Sequence, residues 1–422
     1  MGALVAIGVV IVAALPALLM RLSGLTPRIE IATLLFGVAI VGAAFAISWA
    51  AEAAEHDIPR ALSLTVVALL AVLPEYAVDA VFAFKAGQDP AFAPYAVANM
   101  TGSNRLLLGL GWPVIAILAW LYGGRRVLPL DRGSGLPLVF LAAATLYSFS
   151  LPFRGGISLF DSVLLIALFL AYAALAARQQ TVAPQLVGPA AAIGALSTPK
   201  RRLSVLALFA FAGITIGVSA EPFAEGLVHT GQLLGIDEFL LVQWLAPLAS
   251  EAPEFLVAAL LAVRGKPSAG LTLLLSAKVN QWTLLIASLP LAFSIGAGQP
   301  GTLPLDARQS AEVLLTAAQS LFGVAVLASL SLTLLEAGLL AGLFVAQLVV
   351  GGFLRARLHD PAAAAAELFW FSVLYVLLSV VFLFQARSKI GRILRRDLPA
   401  AVASPSGTVG PTESRAQVEL RR

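Results

Sequence analysis

Charge and cysteine are the two things that this 422-residue sequence has little of. Charged residues make up 12% of the chain and cysteine is missing, whereas 59% of the residues are hydrophobic and the mean hydropathy is +0.93. Soluble domains carry about 25% charged residues. The composition therefore excludes a cytosolic enzyme, a nucleic-acid-binding protein and a disordered chain, and predicts an all-α polytopic membrane protein. Without cysteine, disulfides, thiolate metal sites and thiol nucleophiles are also excluded.

Histidine is scarce as well. The three histidines, His56, His229 and His359, fall between the hydrophobic segments, which argues against a histidine-built metal centre at membrane depth. No span carries a histidine-rich or paired-aspartate motif, so we do not expect an intramembrane enzyme. The basic pI near 9.6 does not indicate nucleic-acid binding, because basic residues in a membrane protein mostly set its orientation.

Twelve stretches are long enough to cross a bilayer core, which needs about 20 apolar helical residues. They are 3–21, 30–54, 60–84, 94–122, 135–152, 157–177, 203–227, 237–263, 268–296, 308–333, 334–354 and 365–386. Of the basic residues between spans, 18 lie in even-numbered loops and the tail, and 7 in odd-numbered loops. The positive-inside rule then places both termini in the cytoplasm, with the protein in the plasma membrane.

An internal repeat organises these spans. Pro74-Glu75 recurs as Pro253-Glu254 at an offset of 179, and the LLL after Arg105 matches the TLL after Trp282 at an offset of 177. Five spans separate the starts of the two units, and an odd number inverts the second unit. Inverted repeats around a midplane site are a transporter architecture.

We therefore predict two inverted five-helix repeats with one extra helix at each end. The predicted domains are an extra N-terminal helix at 1–29, a first repeat at 30–177, a cytoplasmic linker at 178–202, a second repeat at 203–354, an extra C-terminal helix with a basic flank at 355–396, and a disordered tail at 397–422.

Each repeat carries a carboxylate at bilayer depth, which usually marks function because it is costly there. We expect Glu75 near the middle of its span and Glu254 about two-thirds along its own. Each follows a proline, which leaves the carbonyl of Leu70 or Ala249 without its helical partner. Free carbonyls beside a carboxylate suit a dehydrated cation. The alternative is a packing kink, with the glutamate satisfied by a neighbouring helix.

Further charged residues share these spans. Asp79 lies one turn after the first Pro-Glu pair, close enough to the membrane end to be solvated, and Glu251 precedes the second pair by three residues. The two interior cations, Arg105 and Lys278, are expected to pair with these carboxylates. Either they form structural salt bridges, or a fixed ammonium partly replaces a bound ion.

Small polar residues lie on the facing helices. Asn99 and Ser103 share one helix face at a spacing of four, as do Ser276 and Asn280. Such residues can be cation ligands, or they can form hydrogen bonds that allow close helix approach.

At these residues the sequence resembles the calcium/cation antiporter superfamily, as a divergent prokaryotic-type member. Its sodium/calcium exchangers carry alpha-repeats of about G-T-S-x-P-E and G-N-x-x-G-S-N. The corresponding segments here are A-V-L-P-E and A-N-M-T-G-S-N, then A-S-E-A-P-E and S-A-K-V-N-Q. The resemblance places the alpha-repeats at about 60–113 and 237–290. It implies a ten-helix core, alternating access and exchange of cations, with ligand roles for Glu75, Glu254, Asn99 and Ser250.

The departures from the family pattern leave the transported ion open. Ala71 and Val72 stand where the family has hydroxyls, Glu251 replaces a serine, and Ser276 stands in place of Asn or Asp, with Lys278 two residues on. Sodium, calcium and protons are all candidates.

The predicted function is a secondary active cation antiporter working by alternating access in the lipid bilayer. The alternative is a cation channel or a non-transporting membrane scaffold. No cofactor is expected, only the transported cation as ligand, and the sequence indicates no oligomeric state. The predicted cation ligands are Glu75, Glu254, Asn99, Ser103, Ser250, Glu251, Ser276 and Asn280.

Overall fold

The computed structural model describes residues 2–25, 27–54, 57, 72–130, 134–178, 186–355 and 361–392. In these ranges the helices are α1 Gly2–Ser23, α2 Ile29–Ala54, α3 Leu73–Gln88, α4 Ala93–Leu106, α5 Trp112–Gly123, α6 Gly135–Ser148, α7 Ser150–Arg154, α8 Leu159–Ala176, α9 Gly188–Gly194, α10 Thr198–Leu234, α11 Glu238–Val263, α12 Pro267–Asn280, α13 Ile286–Ala297, α14 Ala307–Leu327, α15 Leu334–Phe353 and α16 Pro361–Arg392. A 3₁₀ turn, Pro90–Phe92, precedes α4. The strands are β1 Val127–Pro129, β2 Gly156–Ile157, β3 Leu303–Pro304 and β4 Ser331–Thr333.

Within the described ranges, 11 helical stretches are long and apolar enough to cross a membrane. The prediction of an all-α polytopic membrane protein is confirmed. The third predicted span, 60–84, is described only from residue 72 onward, as α3. The predicted disordered tail at 397–422 lies outside the described residues.

The boundary between the tenth and eleventh predicted spans is a real turn. Leu330 adopts a left-handed backbone with φ of 58°, β4 follows, and Thr333 begins α15 with a capping box to Glu336. The Thr333 side chain accepts a hydrogen bond from the backbone N–H of Glu336, and the Glu336 side chain accepts one from the backbone N–H of Thr333. These two hydrogen bonds start the new helix at a point where the apolar sequence shows no break.

The predicted linker at 178–202 is partly helical. It contains α9, and α10 already begins at Thr198. Ala190 and Ile193 of α9 are buried in a cluster with residues of α1, α2 and α10. The small apolar residues of the segment form a packed turn of helix, so its Pro and Gly content did not make it a loop. The domain boundaries as a whole stay a prediction.

Helices from the two predicted repeats interleave. In the core, α4 packs on α11 and α3 packs on α13, with glycines at the crossings. A Cβ at Gly102 of α4 would overlap the carbonyl oxygen of Gln243 on α11, and one at Gly296 of α13 would overlap that of Phe84 on α3. Glycine alone allows two helix backbones to approach this closely.

The short strands also join the two halves of the chain. β1 pairs with β4, with Val127 opposite Thr333, and β2 pairs with β3, with Gly156 opposite Pro304. Each ladder therefore joins one strand from the first half of the chain to one from the second.

Two helical units of identical length fix the register between the halves. In the first, α4 has 14 residues, a π-helical segment Leu107–Gly111 has 5 and α5 has 12. In the second, α12 has 14, the π-helical segment Gln281–Leu285 has 5 and α13 has 12. Both units end at a left-handed glycine, Gly124 and Gly298. The offset is 174, and not the 177 taken from the sequence. Lys278 therefore corresponds to Asn104.

Candidate cation site

Four segments bring buried polar side chains together. The first two turns of α3, and the middle and end of α4, come from the first half of the chain. The middle of α11 and the end of α12 with its following π-helical segment come from the second. Charged and amide side chains from all four are buried: Glu75 and Asp79, Asn99 and Asn104, Glu251, and Lys278, Asn280 and Gln281.

Glu75 does not lie in the middle of a long helix. The helix α3 begins at Leu73, so Pro74 and Glu75 occupy its first turn. Proline costs nothing there because the first N–H groups of a helix have no internal partner. The partial positive charge at a helix N-terminus favours a carboxylate. The predicted free carbonyl of Leu70 lies outside the described residues.

The carboxylates of the two halves lie within electrostatic reach of one another. Glu75 of α3 acts on both Glu251 and Glu254 of α11, and Glu254 acts on Glu251. Glu75 and Glu251 are 2% exposed, and Glu254 is partly buried. Three carboxylates so placed repel one another when ionised and therefore favour a bound cation or proton.

Glu75 has one satisfied and one free oxygen. Gln281 donates a hydrogen bond from Nε2 to Oε2 of Glu75 at 3.1 Å, and the Ser103 hydroxyl lies beside this carboxylate and that of Glu251. Among the described residues, Oε1 of Glu75 has no hydrogen-bond partner. Gln281 was not among the ligands predicted from the sequence.

Glu251 and Glu254 also present free oxygens. Within the described ranges, both carboxylate oxygens of Glu251 and Oε2 of Glu254 lack a hydrogen-bond partner. A buried carboxylate without partners costs several kcal/mol unless a cation or proton neutralises it. Glu251, which stands where the family pattern has a serine, is thus the least hydrogen-bonded of the predicted ligands.

Asn99 is hydrogen-bonded to the carboxylate of Asp79. Its Nδ2 donates to Oδ1 of Asp79 at 2.8 Å. Asp79 is fully buried, so the suggestion that it is solvated at the membrane end is wrong. In the described part of the chain, the amide oxygen of Asn99 and Oδ2 of Asp79 have no partner. Asp79 lies near enough to Glu75 for their charges to interact.

The remaining predicted ligands have other partners. Ser250 donates to the carbonyls of Ala246 and Pro247 in its own helix, at 3.2 and 3.3 Å. Ser276 accepts a hydrogen bond from Tyr172 of α8 at 3.3 Å. Tyr76, next to Glu75, donates to Oδ1 of Asn280 at 2.9 Å. Ser276 is therefore directed to α8, whereas Asn280 adjoins the acidic cluster.

The two interior cations have separate partners. Lys278 donates to the backbone carbonyl and Oδ1 of Asn104, at 2.9 and 2.7 Å, and interacts electrostatically with Glu251 and Glu75. Arg105 instead pairs with Glu312 of α14 at 2.6 Å. It does not pair with the carboxylates considered from the sequence.

Glu312 is at the centre of a second buried network. Its Oε2 also accepts from Gln243 of α11 at 3.0 Å, and its Oε1 lies 3.7 Å from Arg355. Arg105 donates further to Gln347 of α15. The sequence analysis did not identify Glu312, because candidate site residues were sought in the repeat motifs and not in the neighbouring spans.

The acidic cluster is not a closed metal cage in this conformation. In the described ranges, no group of three or more His, Asp or Glu side chains is arranged to hold a metal ion. Carboxylates would therefore bind a cation together with hydroxyl, amide or carbonyl oxygens, which are also ligands for hard cations.

Comparisons with known proteins agree with this arrangement. The sequence profile of the family described as sodium/calcium exchanger protein matches residues 30–178 and again 204–352. The crystal structure of the H⁺/Ca²⁺ exchanger CAX is similar at 44% identity and a TM-score of 0.89, covering 95% of this chain and 98% of that one. No curated protein sequence matches the chain.

More distant structures share the fold. Native YfkE is 16% identical with a TM-score of 0.56, covering 82% of this chain and 99% of its own. The sodium-calcium exchanger NCX_Mj, soaked with Na⁺ and Sr²⁺, is 18% identical with a TM-score of 0.50, covering 76% of this chain and 98% of its own.

Proposed function

Because the chain belongs to the sodium/calcium exchanger protein family and is a multi-pass membrane cation antiporter, we propose that the ions it exchanges are Ca²⁺ and protons. The sequence prediction of the family and of cation antiport is confirmed, whereas the choice of ions is a proposal. Its support is the 44% identity to an H⁺/Ca²⁺ exchanger over nearly the whole of both chains.

The observation that carries the proposal is the group of buried carboxylates drawn from both halves. Glu75, Glu251 and Glu254 interact electrostatically, and each has at least one oxygen without a hydrogen-bond partner in the described residues. Carboxylate oxygens bind either Ca²⁺ or protons. Competition of the two for the same oxygens couples their movements.

The predicted ligand set remains part of this proposal. Glu75, Glu251, Glu254 and Ser103 form the centre, and Asn99 would contribute its free amide oxygen. Asn280 would exchange its bond with Tyr76 for the ion. Ser250 and Ser276 would have to turn away from their present partners to reach the ion, so their proposed contribution to binding is small.

Alternating access follows from the same geometry. Occupied carboxylates lose their mutual repulsion, which allows the two halves to move about the site and open it to one side at a time. We further propose that the protein lies in the cell membrane with both termini in the cytoplasm, since basic residues are concentrated in the even-numbered loops and the tail.

Transport by purified protein in liposomes tests the proposal. An imposed pH gradient should drive Ca²⁺ uptake, and an equal Na⁺ gradient should not. Glu75→Gln and Glu254→Gln should each abolish uptake, because glutamine cannot take up a proton or provide an anionic ligand. Glu238→Gln, in the first turn of the same helix α11, is the matched control and should retain activity.

Two outcomes would reject the proposal. Full activity in both Glu75→Gln and Glu254→Gln would show that these two carboxylates do not form the ion-binding site. Ca²⁺ movement without counterflow of protons would indicate a channel instead of an exchanger.

A further inference from the structure

Lys278 is a buried cation built into the acidic cluster. Its side chain is fully buried on α12, and Nζ lies 2.9 Å from the backbone oxygen of Asn104 and 2.7 Å from its Oδ1. Nζ also lies 4.8 Å from the centre of the Trp282 ring. Two carbonyl oxygens and an aromatic face therefore surround it.

These are the surroundings of a monovalent cation. An ammonium has only donors and no acceptor, and the face of an aromatic ring attracts positive charge. The carboxylates of Glu251 and Glu75 act on Lys278 as well. Burial disfavours the charged form of Lys278, whereas these two carboxylates, the two oxygens of Asn104 and the ring of Trp282 favour it.

The position of Lys278 can be compared with its counterpart in the other repeat. Lys278 and Asn104 are counterparts at the offset of 174 set by the matched helices, and they contact each other where the two halves meet. One half supplies a neutral amide and a backbone oxygen there, and the other supplies a charge. Lys278 also lies between Ser276 and Asn280, two predicted ligands.

We propose that Lys278 is a specificity-determining residue whose ammonium permanently occupies a monovalent-cation position in the site, and so excludes Na⁺ from it. A tethered charge cannot be released to the other side of the membrane, so no Na⁺ movement is coupled at this position. The inference rests on the proposed function only for the identity of the transported ions. The prediction about Na⁺ binding stands apart from it.

The test replaces the charge and offers Na⁺ in its place. Lys278→Met keeps the length and apolar stem of the side chain but empties the position at Asn104. In NaCl, compared with choline chloride at equal ionic strength, its Ca²⁺ uptake should rise by about tenfold, roughly the worth of a charge-assisted contact. Its thermal midpoint should also rise with Na⁺ concentration, because a ligand stabilises the state that it binds.

Three matched proteins complete the design. Wild type and Lys278→Arg retain the charge and should show no difference between NaCl and choline chloride. Lys266→Met removes an exposed lysine just before the same helix and should behave as wild type. Lys278→Gln repeats the test if the methionine variant does not fold.

The outcomes separate this inference from the proposed function. Thermal stabilisation by Na⁺ in Lys278→Met but not in wild type supports it even if wild type exchanges no Ca²⁺ for protons. Equal indifference to Na⁺ in the folded methionine or glutamine variant would overturn it. Na⁺-dependent stabilisation of the wild type would overturn it without any variant.

Discussion

Arg105 and Glu312 form an ion pair of 2.6 Å in which the side chains are 2% and 1% exposed. Gln243 donates to the same oxygen of Glu312 at 3.0 Å. Arg105 lies on α4 and Gln243 on α11, so one carboxylate of α14 joins the two helices that carry Asn99 and Glu251. The pair therefore holds the site-bearing helices together from outside the site.

The effects of removing the two members of this pair should not be additive. We expect Arg105→Met or Glu312→Gln to destabilise the protein by about 3–5 kcal/mol, because an unpaired charge or its broken network stays buried. The double variant Arg105→Met/Glu312→Gln should lose less stability than the sum of the losses in the two single variants. The thermal midpoint of purified protein in detergent measures this.

An exposed ion pair provides the control. Arg28 and Glu30 are paired at 2.6 Å, but the Arg28 side chain is 78% exposed. Arg28→Met should change stability by less than about 0.5 kcal/mol. If the effects of the Arg105 and Glu312 substitutions on stability were strictly additive, the two residues would act independently, and the pair would not hold the helices together.

The sequence was sufficient for the membrane class and for the central acids. Composition and loop charge depend on local properties, so the all-α polytopic fold could be predicted and is confirmed. The duplicated Pro-Glu motif pointed to Glu75 and Glu254, which the structure brings within electrostatic reach of each other. Their roles as ligands stay predictions.

The contacts that depend on three-dimensional register could not be predicted. The five-residue π-helical segments and the identical helix lengths set an offset of 174, and nothing in the letters marks them. The link of Ser276 to Tyr172 and of Arg105 to Glu312 also joins distant parts of the chain. A sequence motif identifies residue types, but neighbouring helices decide where the side chains point.

Gly102 should not tolerate a side chain. A Cβ there would overlap the carbonyl oxygen of Gln243, so Gly102→Ala must separate α4 from α11. We expect a loss of about 1–3 kcal/mol or more, visible as a lower thermal midpoint and reduced Ca²⁺ uptake. Gly213→Ala on α10 has nothing within 4 Å and should be neutral or slightly stabilising. Equal effects of the two substitutions would contradict this close helix crossing.

Two of the three serines predicted as ligands, Ser103 and Ser276, should behave differently. Ser103 lies beside the carboxylates of Glu75 and Glu251, so Ser103→Ala should raise the KM for Ca²⁺ by about tenfold. Ser276 accepts a bond from Tyr172, and Ser276→Ala should leave the KM within about twofold. The Ca²⁺ dependence of uptake in liposomes measures both, and the reverse order would move the site toward α8.

Gln281 should hold Glu75 in place for the ion. Its Nε2 donates to Oε2 of Glu75 at 3.1 Å, so Gln281→Leu should weaken Ca²⁺ binding by about tenfold, the worth of a hydrogen bond to a charged group. Gln281→Glu adds repulsion to the carboxylates and should shift the pH dependence of uptake as well. Ca²⁺ titration with calorimetry measures the first effect, and an unchanged affinity in both variants would show that Gln281 has no part in positioning Glu75.

The acid stability of the protein should depend on Asp57, which lies between spans. Arg201 of α10 donates to both oxygens of Asp57, at 2.7 and 2.9 Å, and this bonding lowers the pKa of Asp57 from 3.8 to about 2. A lowered pKa means that the contact stabilises the folded state above pH 3.8 and that its contribution is lost as the pH falls toward 2. Wild type should therefore have a higher thermal midpoint than Asp57→Asn at neutral pH, with the difference shrinking over that acid range. A difference that stays constant down to about pH 2 would show that the ionised carboxylate is not what Arg201 binds.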